Sequence, residues 1–114
     1  MSQLIITELT IMETYNITVE ADNVLRLRFG DTPAQNDVLV QEAAKKITGL
    51  IEDGTIKGGE LIKLNGPATL PVAFVLGHKL SHLYQAVAVY DPKLSKYVVT
   101  IAHGGKYCLG DLVD

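Results

Sequence analysis

Three imidazoles and one carboxylate carry the chemistry available in this chain. His78, His82 and His103 are its only histidines, and Asp91 is the one aspartate between Asp53 and Asp111. On a helix, positions 78 and 82 lie on one face, a spacing that can hold a divalent cation. The same pair also reads as two polar residues at a helix end, bonded to backbone or water. His82 near a helix C-terminus would be favoured in its charged form by the helix dipole. Asp91 follows an apolar strand, where a carboxylate can meet a ligand at the strand's C-terminal end. Followed by Pro92, it is equally a turn-former. The loop Asn65-Gly66-Pro67 reads either as an ordinary turn or as a close backbone approach to phosphate. No P-loop, GxGxxG, CxxC pair, GxSxG or HExxH occurs in the sequence, which removes the common nucleotide, zinc-ribbon and hydrolase readings.

The elements that must position these groups are legible from periodicity. Leu4-Ile5-Ile6 opens a strand. Residues 13–29 alternate with period two around Asp22-Asn23, which predicts a hairpin. Val38, Leu39, Ala43, Ile47, Leu50 and Ile51 then recur at helical spacing, giving a helix over 34–52 closed by Gly54. A strand at Glu60–Leu64, a largely apolar helix over 71–84 with Pro71 in its first turn, and a central strand at 85–90 follow. Lys96–Ala102 forms a further strand and Tyr107–Val113 a last short one. The order implies one α/β domain over residues 1–114, a mixed sheet with two main helices. If strands 85–90 and 96–102 form a hairpin, His103 lies near His82 and a strand length from Asp91.

Composition sets the outer limits. The chain has 114 residues, 47% of them hydrophobic and 20% charged, so it should bury a core without covalent staples. Its net charge of −3 argues against a broad basic face for long duplex nucleic acid. The charge divides unevenly: residues 1–56 carry a balance of −5 and residues 57–114 a balance of +2. An anionic ligand would therefore meet the second half, where the histidines lie. Apolar runs such as Val72–Leu76 are far below the ~18–20 residues of a membrane span. No secretion signal is evident, and the single Cys108, expected as a half-buried strand thiol, fits a reducing cytoplasm.

The run "GHKLSHLYQAVAVYDPKLSKYVVTIAH", with the Gly-Pro loop before it, resembles the small CRISPR-associated ring nucleases of the Csx-three type. Their signature couples a Gly-Pro loop to His-Lys-x-x-His, a Val-Ala-Val-Tyr-Asp-Pro-Arg-Leu strand and turn, and a final histidine. The likeness covers roughly residues 60–113. It implies a Rossmann-like fold, as in CRISPR-associated nucleotide-sensing domains. It also implies cleavage of cyclic tetra-adenylate, the second messenger of type III CRISPR defence, with Mn2+. His82, Asp91 and His103 match the family's catalytic and metal positions. Asn65, Gly66, Pro67, His78 and Lys93 match the substrate-binding stretch. Lys93 stands where the family has arginine, keeping the charge but losing the bidentate fork.

The resemblance further implies homodimers that sandwich the cyclic ligand as a tetramer or filament, with a Gly-Pro/His82 side of one copy meeting the Asp91 side of another. Three alternatives remain at this level. One is a non-catalytic cyclic oligoadenylate sensor, since some family members carry a C-terminal AAA-type ATPase domain. The second is a manganese-dependent 3′-exoribonuclease on linear RNA, and the third an interaction module with incidental histidines.

Overall fold

The computed structural model describes residues 13–114; the strand expected at Leu4-Ile5-Ile6 lies outside them. The alternating residues of Tyr15–Glu20 (β1) and Val24–Phe29 (β2) pair antiparallel, Tyr15 opposite Phe29 and Glu20 opposite Val24. Asp22 (φ 63°) and Asn23 (φ 59°) make the reversal. Their short polar side chains tolerate left-handed backbone, and two such residues in succession match the twist of a hairpin. The period then changes, and Asn36–Glu52 (α1) buries Leu39, Ala43 and Ile47, one residue per turn on a single stripe.

The chain next alternates between sheet and helix layer. Gly59–Asn65 (β3) is followed by Leu70–Ser81 (α2), then Tyr84–Asp91 (β4), Lys96–Ala102 (β5) and Leu112–Val113 (β6). Thr69 caps α2, its Oγ1 accepting from Val72 N at 3.4 Å, with Pro71 in the first turn where its missing N–H is not needed. The helix ends at Ser81, three residues short of the expected 84. The turn His82–Leu83 is used to swing Tyr84 into the sheet, where Gly59 N donates to Leu83 O. The expected strand 107–113 shortens to two residues. A tight turn takes the rest: Cys108 N donates to Asp111 Oδ2, Asp111 N donates to Cys108 O, and Gly110 holds φ 88°. Cys108 is exposed in that turn rather than half-buried in a strand.

The six strands lie in sequence order, β1 to β6, in one mixed sheet. β2, β3 and β4 run parallel, and β1, β5 and β6 add antiparallel at the two sides. Two crossovers that step the same way along the sheet place both helices on one face, given the fixed handedness of such connections. The core bears this out. Leu39 and Ile47 of α1, with Val72, Leu76 and Leu80 of α2, close over Tyr15, Leu25, Ile62, Leu64 and Val87. Among the described residues the opposite face holds no helix, only a smaller cluster of Val24, Ala86, Ala88, Tyr97 and Val99 with Tyr90, Tyr107 and Val113 packed against it. The fold is an α/β domain with a six-stranded mixed sheet and two helices. Among the described residues its strand order has no reversal, so they do not form the crevice that a doubly wound sheet opens at such a point.

Candidate functional site

The three parallel strands give the sheet two poles. At one lie the C-terminal ends of β2, β3 and β4, hence the loop Asn65-Gly66-Pro67 and the turn Asp91–Ser95. At the other lie the end of α2 and the end of β5, hence all three histidines. The seven steps of β4 from Tyr84 to Asp91 separate the poles by about 23 Å at ~3.3 Å per residue.

The histidine pole is assembled by a helix and a bulge. His78 and His82 are one turn apart at the end of α2, and their Nε2 atoms approach to 3.4 Å with the rings at 89°. His103 arrives from β5, where its backbone N donates to Gln85 O at 2.9 Å. Which side of the sheet it reaches depends on one residue. Val87 pairs with Ile101 but Ala88 pairs with Val99, so Thr100 is an inserted residue in the ladder. Strict alternation from Tyr97 and Val99 would send Ile101 and His103 to the helix-free face. The bulge resets the alternation: Ile101 joins the helix-side core, Ala102 the other. His103 follows Ile101, and its Nε2 lies 3.1 Å from Ser81 O at the end of α2. A carbonyl only accepts, so Nε2 carries the proton of that bond, and in the neutral ring Nδ1 is left as the basic nitrogen.

The loop pole is fixed by hydrogen bonds and close packing. Asp91 Oδ1 accepts from Lys93 N at 2.8 Å and Leu94 N at 3.3 Å, so the carboxylate shapes its own turn while Lys93 extends outward, exposed. Gly66 has φ 131°, and a Cβ there would sit 2.0 Å from Leu27 O. No side chain fits. Pro67 O accepts from the hydroxyl of Tyr15 at 2.6 Å. The Tyr15 ring is fully buried, and burial pushes its hydroxyl up to about 12. Asn65 Nδ2 donates to Tyr97 OH at 3.1 Å on the helix-free face, where Tyr90 stands edge-on to Tyr97.

His78, His82 and His103 therefore gather at one pole; Asn65, Gly66, Pro67, Asp91 and Lys93 gather at the other. The grouping of the Gly-Pro loop with His82 is corrected. α2 begins beside the loop and ends beside His82, so its full length divides them. Within one chain the set His82, Asp91 and His103 does not converge. Among the described residues no three His, Cys, Asp or Glu side chains come together as a metal cage. Two imidazole nitrogens of one helix do approach each other.

Tyr15 and Tyr97 hold the loop pole by hydrogen bonds to Pro67 and Asn65, and the sequence reading did not single them out. Tyr97 was readable: period-two alternation puts it on one face with Val99, and a half-polar aromatic there needs a partner for its hydroxyl. Tyr15 reaches a loop more than fifty positions away, a contact no local pattern encodes.

No helix among the described residues is long and apolar enough to cross a membrane. Compared with protein-family models, curated proteins and solved structures, the chain finds no match among them.

Proposed function

We propose that the chain is a metal-dependent phosphodiesterase, a ring nuclease that binds cyclic tetra-adenylate and cleaves it to linear di-adenylate. In this reading it switches off type III CRISPR antiviral signalling in the cytoplasm, and it is kin to the Rossmann-like CRISPR-associated nucleotide-sensing domains through its β2-α1-β3-α2-β4 core. One observation carries the proposal beyond the sequence resemblance. The imidazoles occupy one pole of the sheet and the phosphate-facing loop with Asp91 the other. Chemistry split in this way is completed between copies stacked pole to pole, and a ring-shaped ligand with internal symmetry suits an interface that repeats its contacts.

The roles follow from the donors. Asn65 and the Gly66 backbone, with Lys93, hold phosphate oxygens. His103, its Nε2 committed to Ser81 O, offers Nδ1 to take or return a proton, and His82 is the other imidazole in reach. Mn2+, when bound, would neutralise charge developing on the phosphoryl group. Its expected ligands His82, Asp91 and His103 do not meet in one chain, so a full set requires Asp91 from a neighbouring copy.

The test is cleavage of cyclic tetra-adenylate with and without Mn2+, products being separated. His82→Ala and Asp91→Ala should each lose most activity, and an equimolar mixture of the two should regain part of it, because stacked copies supply each other's missing group. Full cleavage by both single variants would defeat the proposal.

One observation favours a second reading, the non-catalytic sensor: Asp91 already spends Oδ1 on its own turn. Tight binding of the cyclic ligand with no metal-stimulated product would select it.

A further inference from the structure

The contact between His78 and His82 is long for a hydrogen bond, one ring donating and the other accepting. Their Nε2 atoms are 3.4 Å apart with the rings at 89°. An N–H···O hydrogen bond centres near about 2.9–3.0 Å. The distance does suit two ligands of one tetrahedral ion. With metal–nitrogen bonds of about 2.0–2.1 Å and a tetrahedral angle, two ligand nitrogens lie about 3.3–3.4 Å apart.

Three further features point the same way. The rings come from one helix at i and i+4, so the chelate is set by backbone geometry alone. Both side chains are exposed, so a cation can enter without desolvating a pocket. They sit in the last turn and cap position of α2, where the helix's unpaired carbonyls favour positive charge.

We propose that His78 and His82 form a two-imidazole chelate for a tetrahedral, nitrogen-preferring cation of the Zn2+ class, its remaining positions held by water or an incoming oxygen ligand. The donor set agrees: two neutral imidazoles without a carboxylate favour Cu2+, Ni2+ and Zn2+ over Mn2+. The site uses His78 as a ligand, needs neither Asp91 nor His103, and is complete within one chain. It does not rest on the cyclic-adenylate reading.

The experiment titrates the purified chain with ZnCl2, NiCl2 and MnCl2, without any nucleotide, by calorimetry against a competing chromophoric chelator. The expected result is one Zn2+ per chain, comparable Ni2+ and at least tenfold weaker Mn2+. His78→Gln and His82→Gln keep a good helix former and should each weaken Zn2+ by more than the ~10–100-fold that loss of an outer partner costs. His103→Gln should leave it unchanged, and circular dichroism should match wild type in all three. Zn2+ binding that survives either pair variant, Mn2+ bound as tightly as Zn2+, or an equal loss in His103→Gln would each overturn the chelate. Because no adenylate is present, failure here leaves the phosphodiesterase proposal standing, and loss of cleavage leaves the chelate standing.

Discussion

The two poles of the sheet are built on opposite plans. At the loop pole nearly every polar group has a task in the fold: Asp91 holds its turn, Tyr15 holds Pro67, Tyr97 holds Asn65, and Gly66 lies flat against Leu27. At the histidine pole the rings are exposed and touch chiefly each other and one carbonyl. The difference teaches where mutations should be felt. Damage at the loop pole should reach stability first and ligand second, while damage at the histidine pole should reach chemistry and leave the fold intact.

Gly66→Ala should break the loop pole most severely. The new Cβ would have to clear Leu27 O from 2.0 Å at a φ of 131°. Overpacking and left-handed strain each cost about 1–3 kcal/mol, so a total near ~3 kcal/mol is expected. For a domain of this size that is a fall in Tm on the order of 10–20 °C, measurable by thermal denaturation. His82→Ala, at the exposed pole, should shift Tm by little, since surface substitutions usually stay within about 0.5 kcal/mol. Equal losses in the two variants would erase the contrast.

Alkaline pH probes the same pole next. The Tyr15 hydroxyl is pushed from 10.0 to about 12 by burial. Its neutral form is favoured in the fold, so its contribution is complete below pH 10. Above that the unfolded chain releases the proton first, the native state binds more, and stability falls as pH rises towards 12. The loss should reach ~2–3 kcal/mol by urea denaturation. Tyr15→Phe should flatten that decline, at a cost near neutral pH of about 1–2 kcal/mol for a Pro67 carbonyl left without its donor. A decline that persists in the phenylalanine variant would assign it elsewhere.

How far the sequence carried these features depends on the range of the forces involved. Short-range preferences write themselves into local pattern. The left-handed Asp22-Asn23 turn, the stripe Leu39–Ala43–Ile47 and the apolar β4 were all legible, and with them the two-helix mixed sheet. So was the hairpin of β4 and β5 that sets His103 near His82 and away from Asp91. The bulge at Thr100 was not. One inserted residue among β-formers leaves no mark on composition, yet it decides which face His103 occupies. Nor was the placement of the Gly66 loop beside Asp91, because that follows from α2 running the full height of the sheet before β4 begins. Tyr97–Asn65 and Tyr15–Pro67 needed the assembled strands.

The smallest expected effect is the most discriminating. Asp91 stands in both accounts, as the turn-former that the structure displays and as the catalytic group of the phosphodiesterase proposal. Asp91→Ala removes the acceptor for Lys93 N and Leu94 N and should cost about 1 kcal/mol. Asp91→Asn keeps an Oδ1 that accepts both bonds, so its stability should lie within about 0.5 kcal/mol of wild type. The asparagine variant therefore separates the roles, because it retains the turn and loses the negative charge. If cleavage of cyclic tetra-adenylate collapses in Asp91→Asn while urea denaturation is unchanged, the carboxylate acts beyond its turn and the loop pole contributes chemistry. If cleavage survives in Asp91→Asn, the carboxylate does no more than shape the turn, and the division between a scaffolding pole and a reactive pole is complete.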